Sequence, residues 1–98
     1  APSQLIVGGY SQGAASALQS VLEYPERLAG CIALSGWVLP RAHDALRVGA
    51  VNCGARYYLY HGRRDVQVSL NCSKHARQLL SEAGAQVDFV AGSAGHAP

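Results

Sequence analysis

The sequence contains no methionine and is thin in charge: Asp, Glu, Lys and Arg together make 14% of its 98 residues, against roughly 25% in an average soluble domain. Hydrophobic residues make 49%, enough for a core, so the shortage falls on the solvated surface and points to cover supplied by further chain or another molecule. The absence of methionine implies that the chain has lost its initiator or does not include the start of its gene. Eight basic residues against six acidic ones give a net charge of +2. No basic run exceeds Arg63-Arg64, which excludes an electrostatic case for nucleic acid. No stretch approaches the roughly 18 apolar residues of a membrane span, and no charged segment precedes an apolar one as in a secretory leader. Cys31, Cys53 and Cys72 are odd in number and form no C-x-x-C pair, which argues against a disulfide framework and for a reducing compartment. The cytoplasm is the expected location. Cys31 reads as a small buried hydrophobe, Cys53 and Cys72 as accessible thiols. The length admits one domain, 1–98.

What is present alternates. Leu5-Ile6-Val7 is a short apolar run ended by Gly8-Gly9, which predicts a strand buried on both faces. Ala14, Ala17, Leu18, Val21 and Leu22 follow at helical spacing until Pro25 stops them at Tyr24. Residues 28–34 read as the next strand, 37–54 as a loop with one helical turn over 44–48, and Tyr57-Tyr58-Leu59-Tyr60 as a strand closed by His61-Gly62. Leu70, Ala76, Leu79, Leu80 and Ala83 predict a second helix, with Ser69 as N-cap and Gly84 as stop. Residues 87–90 make a last, shorter strand. This order predicts an α/β fold with a mainly parallel sheet of about four strands and two main helices. Two helices cannot cover both faces of such a sheet, so part of it should be bare.

Gly9-Tyr10-Ser11-Gln12-Gly13 lies between the first strand and the first helix. A serine at that junction sits on a sharp, strained turn that lifts its hydroxyl above the sheet, with glycines on either side leaving space for the flanking backbone. The N–H of Gln12 then points toward a developing oxyanion. A serine hydroxyl needs a base at neutral pH, and the base needs an orienting acid. Asp65 follows the 57–60 strand by a short turn, and His96 follows the last strand by Gly92-Ser93-Ala94-Gly95. Ser11, Asp65 and His96 therefore converge on one edge of the sheet, where open α/β sheets bind ligands. Asp44 and Asp88 compete for the acid's role, one in the loop after the second strand and one within a strand. The plainer readings are a helix-terminal serine, a turn aspartate beside Arg63 and Arg64, and a chain-end histidine. His61 reads as a structural residue at a strand end, His75 as solvent-facing and His43 as loop surface. No two histidines have metal-ligand spacing, so no metal site is expected. A doubly wound regulator would carry acidic residues where Gly8-Gly9 stand.

Gly8-Gly9-Tyr10-Ser11-Gln12-Gly13-Ala14, Leu34-Ser35-Gly36-Trp37-Val38-Leu39-Pro40, His61-Gly62-Arg63-Arg64-Asp65 and Gly95-His96 together resemble the acyl-protein thioesterase and small carboxylesterase family of α/β hydrolases. The resemblance runs the whole chain and covers only the family's C-terminal portion, from the nucleophile strand to the catalytic histidine. It implies a partial α/β-hydrolase fold and a serine hydrolase of the acyl-protein thioesterase, lysophospholipase or carboxylesterase type. The substrate would be an acyl ester or thioester, cleaved through an acyl-enzyme without a cofactor. Ser11 would be the nucleophile, His96 the general base and acid, Asp65 the carboxylate that orients it, and the Gln12 N–H half of an oxyanion hole. Trp37 and Leu39 fall where that family lines its acyl pocket.

Two departures qualify the likeness. Val66-Gln67-Val68-Ser69 stands where the family usually has a proline-bounded apolar run after the aspartate. The oxyanion loop that follows an earlier strand in the family, typically a His-Gly segment, has no counterpart ahead of Ser11. One missing donor costs about 10² to 10³ in rate, so weak turnover is expected of the isolated chain. The alternative is a non-catalytic hydrolase fragment, an interaction module or incomplete gene product. It would self-associate, or take up a missing upstream segment, through the exposed edge of the first strand.

Overall fold

In the computed structural model, which describes residues 2–39, 42, 44–46 and 49–93, the four apolar runs become four strands. They are β1 (Ile6–Tyr10), β2 (Gly30–Leu34), β3 (Arg56–Gly62) and β4 (Gln86–Gly92). All pair in parallel, in the order β1-β2-β3-β4. Parallel neighbours require a crossover. Helix α1 (Gln12–Glu23) supplies the first and α2 (Leu70–Glu82) the third. The second is irregular, with helical residues at Ala42 and 44–46 and a 3-10 turn over Val51–Gly54.

Side-chain chemistry marks the buried face and end of α1 and both ends of α2. Ala14, Ala17, Leu18, Val21 and Leu22 recur on one face of α1 and are buried, each of the larger ones contributing roughly 1.5–3 kcal/mol. Tyr24, held extended ahead of Pro25, ends that helix. Ser69 caps α2 by accepting the Asn71 N–H at 3.2 Å, and Gly84, at φ 96°, turns the chain away after it.

Right-handed crossovers that step one way across a sheet all return on the same face. The core accordingly lies on one side. Cys31, Ala33, Tyr57 and Leu59 of the strands meet the apolar stripes of α1 and α2, with Ala42, Leu46, Cys53 and Ala55 closing the space from the second connection. The alternate strand residues Ile6, Tyr10, Ile32, Tyr58 and Val90 are exposed, Ile6 to 62%. Among the described residues no helix covers that second face, as the count of helices predicts.

Several expectations need correction. β1 is not buried on both faces: it alternates between exposed and half-buried residues and continues through both glycines to Tyr10. β2 begins at Gly30 rather than 28, because the Leu28 N–H is taken by Asn52 Oδ1 at 2.8 Å. β4 is as long as β3, since the two stay in register from Arg56↔Gln86 to Gly62↔Gly92. Cys53 is buried rather than accessible, and Cys72 is half-buried. The expected turn over 44–48 is helical at 44–46; Val48 and His43 lie outside the described residues.

Candidate active site at the C-terminal edge of the sheet

Tyr10, Leu34, Tyr60 and Val90 share one register row near the ends of the strands. Beyond that row the chain turns, and the candidate residues lie in those turns.

Ser11 has φ 57° and ψ −121°, a conformation that side chains with a Cβ rarely adopt and that costs on the order of 1–3 kcal/mol. Its backbone is pinned from both directions. The N–H donates to the Leu34 carbonyl at 2.7 Å, extending the β1–β2 ladder, while the carbonyl accepts the N–H groups of Ala14 and Ala15 at 2.9 and 3.1 Å and starts α1. The Ser11 side chain forms no cap hydrogen bond, whereas Ser69, in ordinary extended backbone, does cap its helix. Ser11 therefore departs from the helix-terminal serine that the plainer reading describes. A Cβ on Gly9 would run into the Gly13 carbonyl and come within 2.8 Å of the Ala14 nitrogen, so strand and helix can approach this closely only at a glycine. Gly13 differs from that expectation: a Cβ there would meet no described atom within 4 Å. Gln12 opens α1, and the first N–H groups of a helix have no intrahelical acceptor.

Asp65 follows β3 in a tight turn, its own N–H donating to the Gly62 carbonyl at 3.2 Å. The carboxylate is wholly buried. Its Oδ1 accepts the N–H groups of Gln67 at 3.0 Å and Val68 at 2.8 Å, and its Oδ2 lies 3.3 Å from His61 Nε2. An acceptor-only group removed from water requires such donors. β3 lies two strands from β1, about 10 Å at ordinary strand spacing, so a carboxylate on β3's turn acts on Ser11 only through an intervening group. His96, the residue expected there, lies outside the described residues. The competing aspartates are placed otherwise, with Asp44 exposed in the second connection and Asp88 exposed on the bare face of β4.

Trp37, with Val38, Asn71, Cys72 and His75, lines a groove of about 280 Å³ between the β2 turn and the start of α2. Leu39 is half-buried on the same turn, and His75 is exposed as expected. A smaller hollow of about 170 Å³ opens on the bare face between Ile6, Ile32, Tyr58 and the Arg56–Asp88 pair, away from the strand ends. Thiol chemistry is disfavoured at Cys31 and Cys53. Burial pushes the Cys31 thiol up to about 12, and burial likewise raises Cys53, partly offset by a hydrogen bond from the Ala50 backbone. Among the described residues no three His, Cys, Asp or Glu side chains are grouped to hold a metal ion, and no helix is long and apolar enough to cross a membrane.

Two features escaped the sequence reading. Ser35 shares the unusual backbone of Ser11, with φ 57°, and its N–H donates to the Tyr60 carbonyl at 2.8 Å. Both serines directly follow the last residue of a strand, Tyr10 of β1 and Leu34 of β2, and that shared placement was the available signal. His61 is a structural residue at a strand end, as expected, but its partners on α2 and in the 65–68 turn carry no local pattern.

Residues 1–97 match the sequence pattern of the phospholipase/carboxylesterase family. Among curated proteins the chain is 35% identical over 91 residues to the carboxylesterase SOBER1 of Arabidopsis thaliana, covering 92% of this chain and 40% of that protein. It is 31% identical over 81 residues to acyl-protein thioesterase 1 of Saccharomyces cerevisiae, covering 83% and 36%. The crystal structure of Arabidopsis thaliana SOBER1 superimposes with a TM-score of 0.88 at 32% identity, over 100% of this chain and 47% of that one. The crystal structure of esterase PE8 gives 0.87 at 30% identity, over 98% and 44%. The chain thus spans less than half the length of these relatives.

Proposed function

Because the chain belongs to the phospholipase/carboxylesterase family of α/β hydrolases, we propose that it is the catalytic-edge portion, one partial domain over 1–98, of a serine hydrolase acting on carboxylic esters or thioesters. Ser11 attacks the acyl carbonyl, and His96 takes the hydroxyl proton and returns it to the leaving group. Asp65 holds the imidazole in the required tautomer, and the Gln12 N–H stabilises the oxyanion. Water then releases the acyl group from Ser11 by the same proton transfers in reverse. Trp37 and Leu39 line the acyl site, and the reaction uses no cofactor. Acyl-protein, lysophospholipid and small-ester substrates all fit this chemistry, and the cytoplasm is the proposed compartment. The observation that carries the reading is the backbone of Ser11: a non-glycine residue at φ 57°, excused from capping its helix, on the same sheet edge as a buried carboxylate.

The test is intact-mass measurement of the folded chain after exposure to a fluorophosphonate, beside a Ser11→Ala control. The expected result is a single adduct that the control lacks. A folded sample that takes up no reagent overturns an autonomous active site.

The alternative function, an interaction module, is favoured by the bare sheet face and by β1 lying at the sheet edge. Parallel sheets occur almost only with both faces covered. On this reading the β1 edge accepts a strand from a second copy or from the remainder of a hydrolase domain. Light scattering across a concentration series would then show association, and a monomer with ester turnover would contradict it.

A further inference from the structure

His61 closes β3 with its side chain wholly buried, and every polar atom of its ring is engaged. Nε2 lies 2.6 Å from the Val68 carbonyl oxygen and 3.3 Å from Asp65 Oδ2. Nδ1 lies 2.5 Å from the hydroxyl of Ser73, itself buried on α2. A carbonyl oxygen only accepts, so Nε2 carries a proton and donates it to Val68. The same N–H faces Asp65 Oδ2, whereas the Gln67 and Val68 amides both donate to Oδ1. The ring therefore ties both ends of the 65–68 turn to one point, and Ser73 fixes its rotation from the neighbouring helix.

We propose that His61 is a positioning residue for Asp65: with Ser73 it sets the orientation in which the carboxylate is presented at the sheet edge. This role rests on the reading of Asp65 as the triad carboxylate. A histidine suits it because one rigid ring spans the helix hydroxyl and the turn, holding two partners with its two nitrogens. Position 61 then matters through Nε2, the atom that faces Asp65, and less through Nδ1. Glutamine and asparagine separate the two contacts, because a glutamine amide reaches the place of Nε2 and an asparagine amide the place of Nδ1.

The test uses nuclear magnetic resonance of the full chain and of His61→Gln and His61→Asn. In the wild type, long-range nitrogen–proton correlation should place a proton on His61 Nε2. In His61→Gln, the Asp65 carboxyl carbon shift and the slow amide exchange of Gln67 and Val68 should stay near wild type. In His61→Asn, exchange at those two amides should rise about tenfold, the loss of one hydrogen bond to a charged group, while Val7 of the edge strand β1 and Ala14 of α1 report an unchanged fold. Equal effects of the two substitutions, or a wild-type ring protonated on Nδ1 alone, overturn the proposal. Should both variants unfold, the wild-type ring signature decides it. None of these readouts uses turnover, so a chain whose Ser11 takes up no fluorophosphonate would sink the triad reading while leaving the geometry of the His61 clamp to be judged on its own signals.

Discussion

Asn52 offers the most closely determined perturbation in the molecule. It is fully buried, and its side chain joins the segment between α1 and β2 to the approach of β3. Oδ1 accepts the Leu28 N–H at 2.8 Å, and Nδ2 donates to the carbonyls of Glu26 at 2.8 Å and Tyr24 at 3.3 Å. In Asn52→Ala the Leu28 amide, on a residue only 5% exposed, is left without an acceptor, which costs about 1–3 kcal/mol. The carbonyls of Tyr24 and Glu26 belong to exposed residues and recover water, adding about 0.5–1 kcal/mol together. The expected loss is therefore about 1.5–4 kcal/mol, a large fraction of the roughly 5–15 kcal/mol that a domain of this size holds. Urea denaturation followed by circular dichroism should show the midpoint fall by about 1–2 M at unchanged slope. Asn52→Asp sharpens the test. It keeps an acceptor for Leu28 but turns a carboxylate oxygen toward two carbonyls, so the folded state favours the protonated acid, which can donate. Its carboxyl pKa is then higher folded than unfolded, and the deficit relative to wild type should be smallest below about pH 3.9 and grow as pH rises past it. A loss under about 0.5 kcal/mol for Asn52→Ala, or a pH-independent deficit for Asn52→Asp, would refute the reasoning.

Gly9→Ala places a Cβ against the backbone of Gly13 and Ala14, which cannot yield as a side chain would. It should lower stability by more than about 2 kcal/mol and abolish fluorophosphonate uptake at Ser11. Gly13→Ala, where a Cβ meets no described atom, should fold normally by the same denaturation assay. Stability should also fall above pH 9. The Cys31 thiol releases its proton near 9.0 when unfolded but holds it to about 12 when folded, so the unfolded state binds fewer protons across that interval. The loss is then about 1.4 kcal/mol per pH unit, and Cys31→Ala should flatten the alkaline limb of a pH series of denaturation midpoints.

The alternation of strands and helices was legible because each element carries its own period. Ala14, Ala17, Leu18, Val21 and Leu22 mark a helix whatever surrounds it, and Pro25, Ser69 and Gly84 act on their immediate neighbours. The burial of β1 was misread because a continuous apolar run looks the same whether one face or both are covered. Which faces are covered depends on the crossovers, and three that step in one direction leave Ile6, Ile32 and Tyr58 facing out. The length of β4 was misread for a related reason. Gln86, Ala91 and Gly92 carry no strand pattern of their own and are held in the ladder by their register with Arg56, His61 and Gly62 of β3.

The candidate site divides along the same line. Ser11 announced itself because its strain is local: the strand, the glycine before it and the helix after it are contiguous in sequence, and together they force the backbone to φ 57°. Asp65 was legible as a turn residue, but the state of its carboxylate is not a local property. The donors at Gln67 and Val68 lie within three residues and follow from an aspartate-initiated turn, whereas the ring of His61 that faces it is held at one nitrogen by the Val68 carbonyl and at the other by Ser73, on the next helix. The five residues from His61 to Asp65 bring the ring and the carboxylate to the same turn. What selects the ring's rotation is a hydroxyl that arrives from α2 once the helix has docked on the sheet. A sequence motif can therefore place the residues of such a site in order along the strand ends, but the orientation of the acid is set when α2 buries Ala76 and Leu80 against the sheet and carries Ser73 with them.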